Sequence, residues 1–246
     1  MNTAITAVFS AYAFGYDPHN DDYKVLLITG IEVKIYSLKL HAWKKVGKNQ
    51  PNKLCWMSSL SAVSTNGATH WLTLITRSKD PVASLHNILA FDFAKENFRV
   101  YKTPLQQIEY VNRKTCLGVL EGCLCYVVNA WKMYNEVWLM KEYGEESSWI
   151  QVYKIDLRAN TIASNLNSDF EYLNVYLKPL KFSRDSKKVL LVDCKNLFWY
   201  DIEKIRSKRL ESQNLPVVFT PLTSIGSLLL LDGDSVIDPK EKKQKK

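Results

Sequence analysis

Two stretches of this chain repeat one spacing. Tyr36-Ser37-Leu38 is followed five residues after Leu38 by Trp43, and Phe91-Asp92-Phe93 is followed five residues after Phe93 by Phe98. In both, an aromatic-x-apolar strand end passes through a short polar linker (KLHA, AKEN) to a second aromatic strand, so each reads as a β-hairpin. Looser echoes stand at Val152-Tyr153-Lys154-Ile155-Asp156 and Phe198-Trp199-Tyr200-Asp201-Ile202. A motif recurring roughly every 50 to 60 residues points to stacked β units. The equivalent places of Trp43 and Phe98 predict that both are buried against a neighbouring strand.

The 246 residues suffice for one all-β domain with a substantial core. Aromatics at 12%, with 13 Tyr and 7 Trp, favour strands, where flat side chains pack well on a pleated surface. The formal charge of +8 is unevenly placed, because Lys240–Lys246 holds five Lys and one Glu. This tail reads as a disordered segment, either a solvated end or a nuclear-import signal. With much of the positive excess there, the body lacks the basic stripe of a nucleic-acid binder. Cysteines at 55, 116, 123, 125 and 194 are odd in number and irregularly spaced, which fits a reducing compartment, cytosol or nucleus. The amino terminus lacks the basic region of a signal peptide, and Ile225–Leu231 is too short to span a bilayer, so no membrane partner is expected.

Four blade-like units are expected, at about 14–46, 60–101, 116–156 and 175–231. The first has a turn at Asp17–Asp22, a strand at Tyr23–Thr29 and the hairpin of Val33–Leu38 with Trp43–Val46. In the second, Asn66-Gly67 is a strong short hairpin signal between Ser61–Thr65 and His70–Leu74; Asn87–Phe93 and Phe98–Tyr101 complete it. The third runs through Cys116–Leu120, Cys123–Val128, Glu136–Met140 and Trp149–Ile155. The fourth takes in Pro179–Ser183, Val189–Val192, Leu197–Ile202 and a strand from Arg209 onward. Short strands, tight turns within units and irregular loops between them are the sequence form of an all-β, β-propeller-like array.

The words also occur in a known order: Phe14-Gly15-Tyr16-Asp17-Pro18, Asp22-Tyr23-Lys24-Val25, Val33-Lys34-Ile35-Tyr36-Ser37-Leu38, Asn66-Gly67-Ala68-Thr69-His70-Trp71-Leu72, Ile88-Leu89-Ala90-Phe91-Asp92-Phe93, Leu117–Cys125 and Val137-Trp138-Leu139-Met140. From about residue 14 to 202 this resembles the F-box-associated domain of plant F-box proteins, including the S-locus F-box type. The resemblance implies a protein-interaction module from the substrate receptor of a Skp-cullin-F-box ubiquitin ligase. In that family an amino-terminal F-box docks on the Skp subunit, and the associated domain captures the protein to be ubiquitinated. Here only 13 residues precede Phe14. An F-box is therefore not expected, nor the family's preceding blade, and the array is expected to be open. A Skp subunit is implied as partner only for family members that carry an F-box.

No enzyme is expected. The chain has no G-x-S-x-G elbow, H-E-x-x-H, Walker loop or G-x-G-x-x-G, and its four His show no metal-ligand spacing. No cofactor or metal site is anticipated: Asp17–Asp22 lacks the alternating ligands of a calcium loop, and Cys123-x-Cys125 places both thiols on one strand face, which suits core packing. Asp92, Asp156 and Asp201 beside aromatic strand ends could serve a glycosidase, but one repeated position favours turn acceptors. The rival functional reading is a sugar-active propeller, lectin-like or hydrolytic, with Trp131 and Trp149 as stacking platforms. For protein binding, the loops Thr76–His86, Asn129–Asn135 and Lys141–Ser148 are the candidates, with Arg77, Trp131 and Tyr134 as anchors. Tyr143 is expected to fix a strand exit.

Overall fold

The computed structural model describes residues 11–29, 32–47, 62–76, 84–105, 113–130, 133–156, 177–192 and 196–210. Their elements are sixteen strands and one 3-10 turn, Glu146–Ser148. The strands form four antiparallel meanders. Sheet 1 holds β1 (Ala11–Asp17), β2 (Asp22–Ile28), β3 (Val33–Ser37) and β4 (Ala42–Lys45), and sheet 2 holds β5 (Val63–Thr65), β6 (Ala68–Thr76), β7 (Ser84–Asp92) and β8 (Asn97–Lys102). Sheet 3 holds β9 (Arg113–Leu120), β10 (Cys123–Ala130), β11 (Tyr134–Met140) and β12 (Trp149–Asp156). Sheet 4 holds β13 (Lys178–Phe182), β14 (Lys188–Val192), β15 (Leu197–Asp201) and β16 (Arg206–Arg209).

The hairpin spacing corresponds to register. Tyr36 pairs with Trp43 and Phe91 with Phe98, each on the third and fourth strands of its sheet. The fourth unit repeats this at Tyr200 and Ser207. The third-unit echo does not: Val152–Asp156 lies on the fourth strand, β12, and the third strand is β11. Its turn is longer, so the fixed spacing is lost there. The fourth strand of the last unit, expected from Arg209 onward, instead runs earlier, Arg206–Arg209, set by the six-residue turn that follows Asp201, and the earlier strand β1, unread in the sequence, completes sheet 1. The anticipated continuation to residue 231 and the tail Lys240–Lys246 lie outside the described residues.

Alternation of side chains gives every sheet two faces, and the sheets stack through them. Ala13, Leu26, Ile28, Val33 and Ile35 of sheet 1 pack on Trp71, Phe91 and Phe93 of sheet 2. Leu72, Ile88, Ala90 and Tyr101 on the far side of sheet 2 meet Leu117, Leu124, Tyr126 and Val128 of sheet 3. Cys116, Cys125, Val127 and Val137 of sheet 3 then meet Val189, Leu191 and Tyr200 of sheet 4. First strands lie on the inner side, where β9 contacts both β5 and β13, and fourth strands lie outermost. The core residues of β10 are buried almost without a break, while all four residues of β4 are exposed. A buried Trp or Phe here withdraws roughly 200 Å² from water, about 5 kcal/mol before entropy is subtracted.

Candidate protein-recognition surface

Antiparallel meanders put their hairpin turns at two opposite rims. The first rim carries the turns between first and second strands and between third and fourth. Four of these share a six-residue plan: Asp17–Asp22, Ser37–Ala42, Asp92–Asn97 and Asp201–Arg206. The opening side chain accepts backbone N–H groups two or three residues on: Asp17 Oδ1 from His19 at 2.9 Å, Ser37 Oγ from Leu40 at 3.0 Å, Asp92 Oδ1 from Lys95 at 2.9 Å, and Asp201 Oδ1 from Lys204 at 2.9 Å. The fifth residue is left-handed, with φ 48° at Asp21, 49° at His41, 50° at Glu96 and 53° at Ile205. Asp92 and Asp201 are thus turn acceptors; Asp156 instead ends a fourth strand.

The carboxylates of the acidic turn are committed in the same way. Asp17 also accepts from Asn20 Nδ2 at 2.7 Å and from Lys24 Nζ at 2.5 Å. Burial alone would raise its pKa, but these donors outweigh it and hold the carboxyl well below the usual range. Lys24, itself buried, also reaches Glu96 at 2.6 Å and the Phe93 carbonyl at 3.3 Å, and so clamps sheet 1 to sheet 2. Asp22 accepts from Ser37 Oγ at 2.6 Å and from Lys39 N at 2.8 Å. Further along the rim, Thr65 Oγ1 donates to the Gly122 carbonyl at 2.8 Å, and Phe182 N to Glu121 Oε1 at 3.1 Å. This rim is closely tied together.

Lys141–Ser148 belongs to it, since it joins β11 to β12. The turn is fixed internally by Ser148 Oγ, which donates to the Glu142 and Glu145 carbonyls at 3.0 and 2.7 Å. Tyr143 anchors it to sheet 2, its hydroxyl 2.9 Å from His70 Nε2. It therefore stands apart from the other two loops selected from sequence, which connect second to third strands at the opposite rim.

At that second rim the chain leaves β6 before Arg77 and β10 before Trp131, and Tyr134 opens β11. The topology so brings two strand exits and Tyr134 to one side of the molecule. Arg77 and Trp131 themselves lie outside the described residues. Tyr134 is half-buried against the core between sheets 2 and 3, with Lys154 Nζ 4.1 Å from its ring centroid. Lys154 is held 3.5 Å from Glu136, which also accepts the Trp138 indole N–H at 2.7 Å. This gives a fixed aromatic and cationic pair on a rigid strand. The span Asn129–Asn135 is less of a loop than expected. Asn129 and Asn135 pair within the β10–β11 ladder, where Asn135 Nδ2 donates to Asn129 Oδ1 at 2.8 Å and to the Leu177 carbonyl at 3.1 Å, and Asn129 Oδ1 accepts from Leu177 N at 3.1 Å.

Trp43 does not take the buried place expected for it. It is 51% exposed, whereas its counterpart Phe98 is half-buried on Phe91, centroids 4.9 Å apart. The alignment of the two hairpins is correct, but Phe98 faces sheet 1, and no described sheet covers the corresponding face of sheet 1. That face also carries Tyr12, Phe14 and Tyr16, exposed at 66%, 55% and 37%. Phe14 stacks on Tyr23 with centroids 5.5 Å apart, while Tyr16 meets Tyr23 at 5.1 Å and Tyr36 meets Trp43 at 5.2 Å with their rings tilted. Sequence reading missed this patch, although aromatics at every second position from 12 to 16 were its signal.

The remaining candidates are core groups. Cys116 and Cys125 are buried between sheets 3 and 4, where desolvation pushes the Cys116 thiol up to about 11, and Cys123 packs beside them. Trp149, partly buried, packs on the core between sheets 2 and 3 and donates its indole N–H to the Lys102 carbonyl at 3.2 Å, while Trp131 lies outside the described residues.

Repeated four-stranded sheets, stacked face to face with first strands innermost, define a β-propeller-like domain. The chain belongs to the F-box associated beta propeller domain family, whose sequence pattern it matches over residues 3–211. It is similar to the F-box protein CPR1 of Arabidopsis thaliana, with 27% identity over 244 residues, 89% of this chain and 56% of that protein. It is also similar to the F-box protein At4g22390 of the same plant, with 28% identity, covering 81% of this chain and 52% of that one. The chain thus spans about half the length of these curated relatives. Among solved structures, an endo-arabinase from Bacteroides thetaiotaomicron aligns over 83% of this chain and 74% of its own, at 12% identity and a TM-score of 0.34. That superposition is too loose to bear on activity.

Proposed function

We propose that this domain is a non-enzymatic substrate-recognition module, which captures a target protein for a Skp-cullin-F-box ubiquitin ligase. The observation that carries the reading is membership of the F-box associated family across residues 3–211. The geometry supports it. One rim is locked by turn and cross-sheet hydrogen bonds and offers little to adapt. At the other the second strands exit and the longer links from each sheet to the next begin and end, an arrangement in which a rigid scaffold presents variable segments to a partner. The carboxylates of Asp92 and Asp201 are occupied by backbone N–H groups, so they are poor candidates for hydrolysis. Arg77, Trp131 and Tyr134 are the proposed anchors, Arg and large aromatics being the residue types that dominate protein interfaces. Cytosol or nucleus is the proposed setting.

The test is to join an F-box to the amino terminus of the chain and express the fusion in plant cells. Proteins labelled in proximity to the unmodified chain should turn over faster in the presence of the fusion, and Arg77→Glu with Trp131→Ala should abolish the effect. Unchanged lifetimes for every labelled protein would refute the assignment.

A further inference from the structure

Positive charge is unevenly spread over the four sheets. Sheet 4 with its turns, residues 177–192 and 196–210, holds nine Lys or Arg against three Asp or Glu, a net +6. The described segments of sheet 1, with five basic and four acidic residues, and of sheet 2, with three and two, come to +1 each. Those of sheet 3, with four basic and six acidic residues, come to −2. One sheet thus carries the positive excess of the described residues.

The three carboxylates of sheet 4 are committed within its turns. Asp201 Oδ1 accepts from Lys204 N at 2.9 Å, Asp185 Oδ1 accepts from Ser183 Oγ at 2.6 Å and from Lys187 N at 3.1 Å, and Glu203 pairs with Lys187 Nζ at 3.1 Å. Register places the other cations. Lys188, Asp201 and Arg206 form one cross-strand row, Leu190, Trp199 and Lys208 form the next, and Lys181 stands opposite Leu190. Paired residues share a face, so Lys181, Lys188, Arg206 and Lys208 project from the side opposite the one that Val189, Leu191 and Tyr200 bury against sheet 3. All four are exposed, and none has a carboxylate partner among the described residues. Like charges held together on a rigid sheet repel one another, and an anion laid over them is attracted by every one.

We propose that this face of sheet 4 binds an acidic, extended segment of a partner protein. Arg206 and Lys208 are alternate residues of β16 and stand about 7 Å apart, which is the repeat of carboxylates at every second position of an extended peptide. Lys188, two strands away, adds a third cation about 10 Å from Arg206. A nucleic acid fits less well. Sheet 4 offers no exposed aromatic on which bases could stack, Trp199 being only partly accessible. A long polyanion running on across the tight-turn rim would also meet the exposed Glu142, Glu145 and Glu146 of sheet 3. The face lies apart from both rims, so an acidic segment held here adds to a contact at the second rim without competing for it.

The test is fluorescence anisotropy of the fluorescein-labelled peptide Glu-Ser-Glu-Ser-Glu-Ser-Glu-Ser titrated with the purified full chain. The peptide should bind, and its counterpart with Gln in place of Glu should not. Lys188→Glu, Arg206→Glu and Lys208→Glu together should weaken binding at least tenfold while the far-ultraviolet circular dichroism stays that of a β protein. The milder pair Arg206→Gln and Lys208→Gln should weaken it at least threefold, and decides alone if the triple variant loses that signal. Lys242→Glu, Lys243→Glu and Lys245→Glu, an equal change of net charge in the tail, should alter binding less than twofold. Absence of binding, unchanged affinity in the sheet 4 variants, or equal losses from the sheet 4 and tail variants would each overturn the proposal. So would tighter binding of a thymidine octanucleotide than of the peptide, which would make the face a nucleic-acid site. Peptide binding by the purified chain does not depend on a ligase, so its failure and a failure of the turnover test are separate results.

Discussion

Gly15 lies against the ring of Phe93 so closely that a methyl group on Gly15 would stand 2.2 Å from Phe93 Cδ2. Gly15 is on the inner strand of sheet 1, and Phe93, almost wholly buried, is the second residue of the Asp92–Asn97 turn of sheet 2. The missing side chain is what lets the two sheets close around Phe93, whose ring also meets Phe91 edge to face at 5.3 Å. Gly15→Ala is expected to cost about 3 kcal/mol, the upper part of the usual range for overpacking. Phe93→Leu should relieve part of that cost, leaving the double variant more stable than the two single losses predict. Urea denaturation of the four proteins gives the answer, and strictly additive losses would break the link.

Ile205 is the reverse case. Its backbone is left-handed at φ 53° and its side chain is 56% exposed, so a β-branched residue sits where it strains the turn and gains little packing. Asp21, His41 and Glu96 occupy the equivalent place in the other turns with less strain. Ile205→Asn should stabilise the protein by about 1 kcal/mol, the cost of the left-handed conformation for a branched side chain. Thermal unfolding will show a higher Tm if this is right. An unchanged or lower Tm would remove the turn strain from the account.

The turn template was legible in the sequence because its parts are local. An acceptor, four residues and a return strand read directly from Asp92–Asn97, and the same spacing gave the sheet register. Two things were not read. Burial of an aromatic depends on whether another sheet lies over it, and Trp43 and Phe98, identical in spacing, differ in that alone. The rim on which a loop lies depends on its place in the strand order, and Lys141–Ser148 was grouped by its irregular length and composition with loops it does not join, although the four strands read for its unit already put it between the third and fourth. Of the anchors chosen from sequence, the described structure places only Tyr134, as a partly buried support for Lys154 rather than a free contact.

His70 makes the fold sensitive to acid. It is buried on β6, and since the Val63 carbonyl 3.2 Å from Nδ1 can only accept, the proton sits on Nδ1 and Nε2 accepts from Tyr143. Burial lowers its pKa to about 4 from the ordinary 6.5. Between those values the unfolded chain binds a proton that the folded one refuses, so stability falls as pH drops through that window. The loss from this one group is about 2 to 3 kcal/mol by pH 4.5. His70→Gln should flatten this part of the profile. Urea unfolding at pH 7 and pH 4.5 compares the two, and equal acid losses in both proteins would exclude His70 as the source.

The central claim is that the rim where the second strands exit holds a target protein and the tight-turn rim does not. It is tested most directly by measuring, by proximity labelling in plant cells, how the set of labelled proteins changes in two matched variants of the full chain. One carries Arg77→Glu and Trp131→Ala at the second rim, and the other carries His41→Glu and Lys95→Glu at the tight-turn rim. The account predicts that the first variant loses at least one strongly labelled protein more than tenfold and that the second keeps it. Retention by the first together with loss by the second would contradict it.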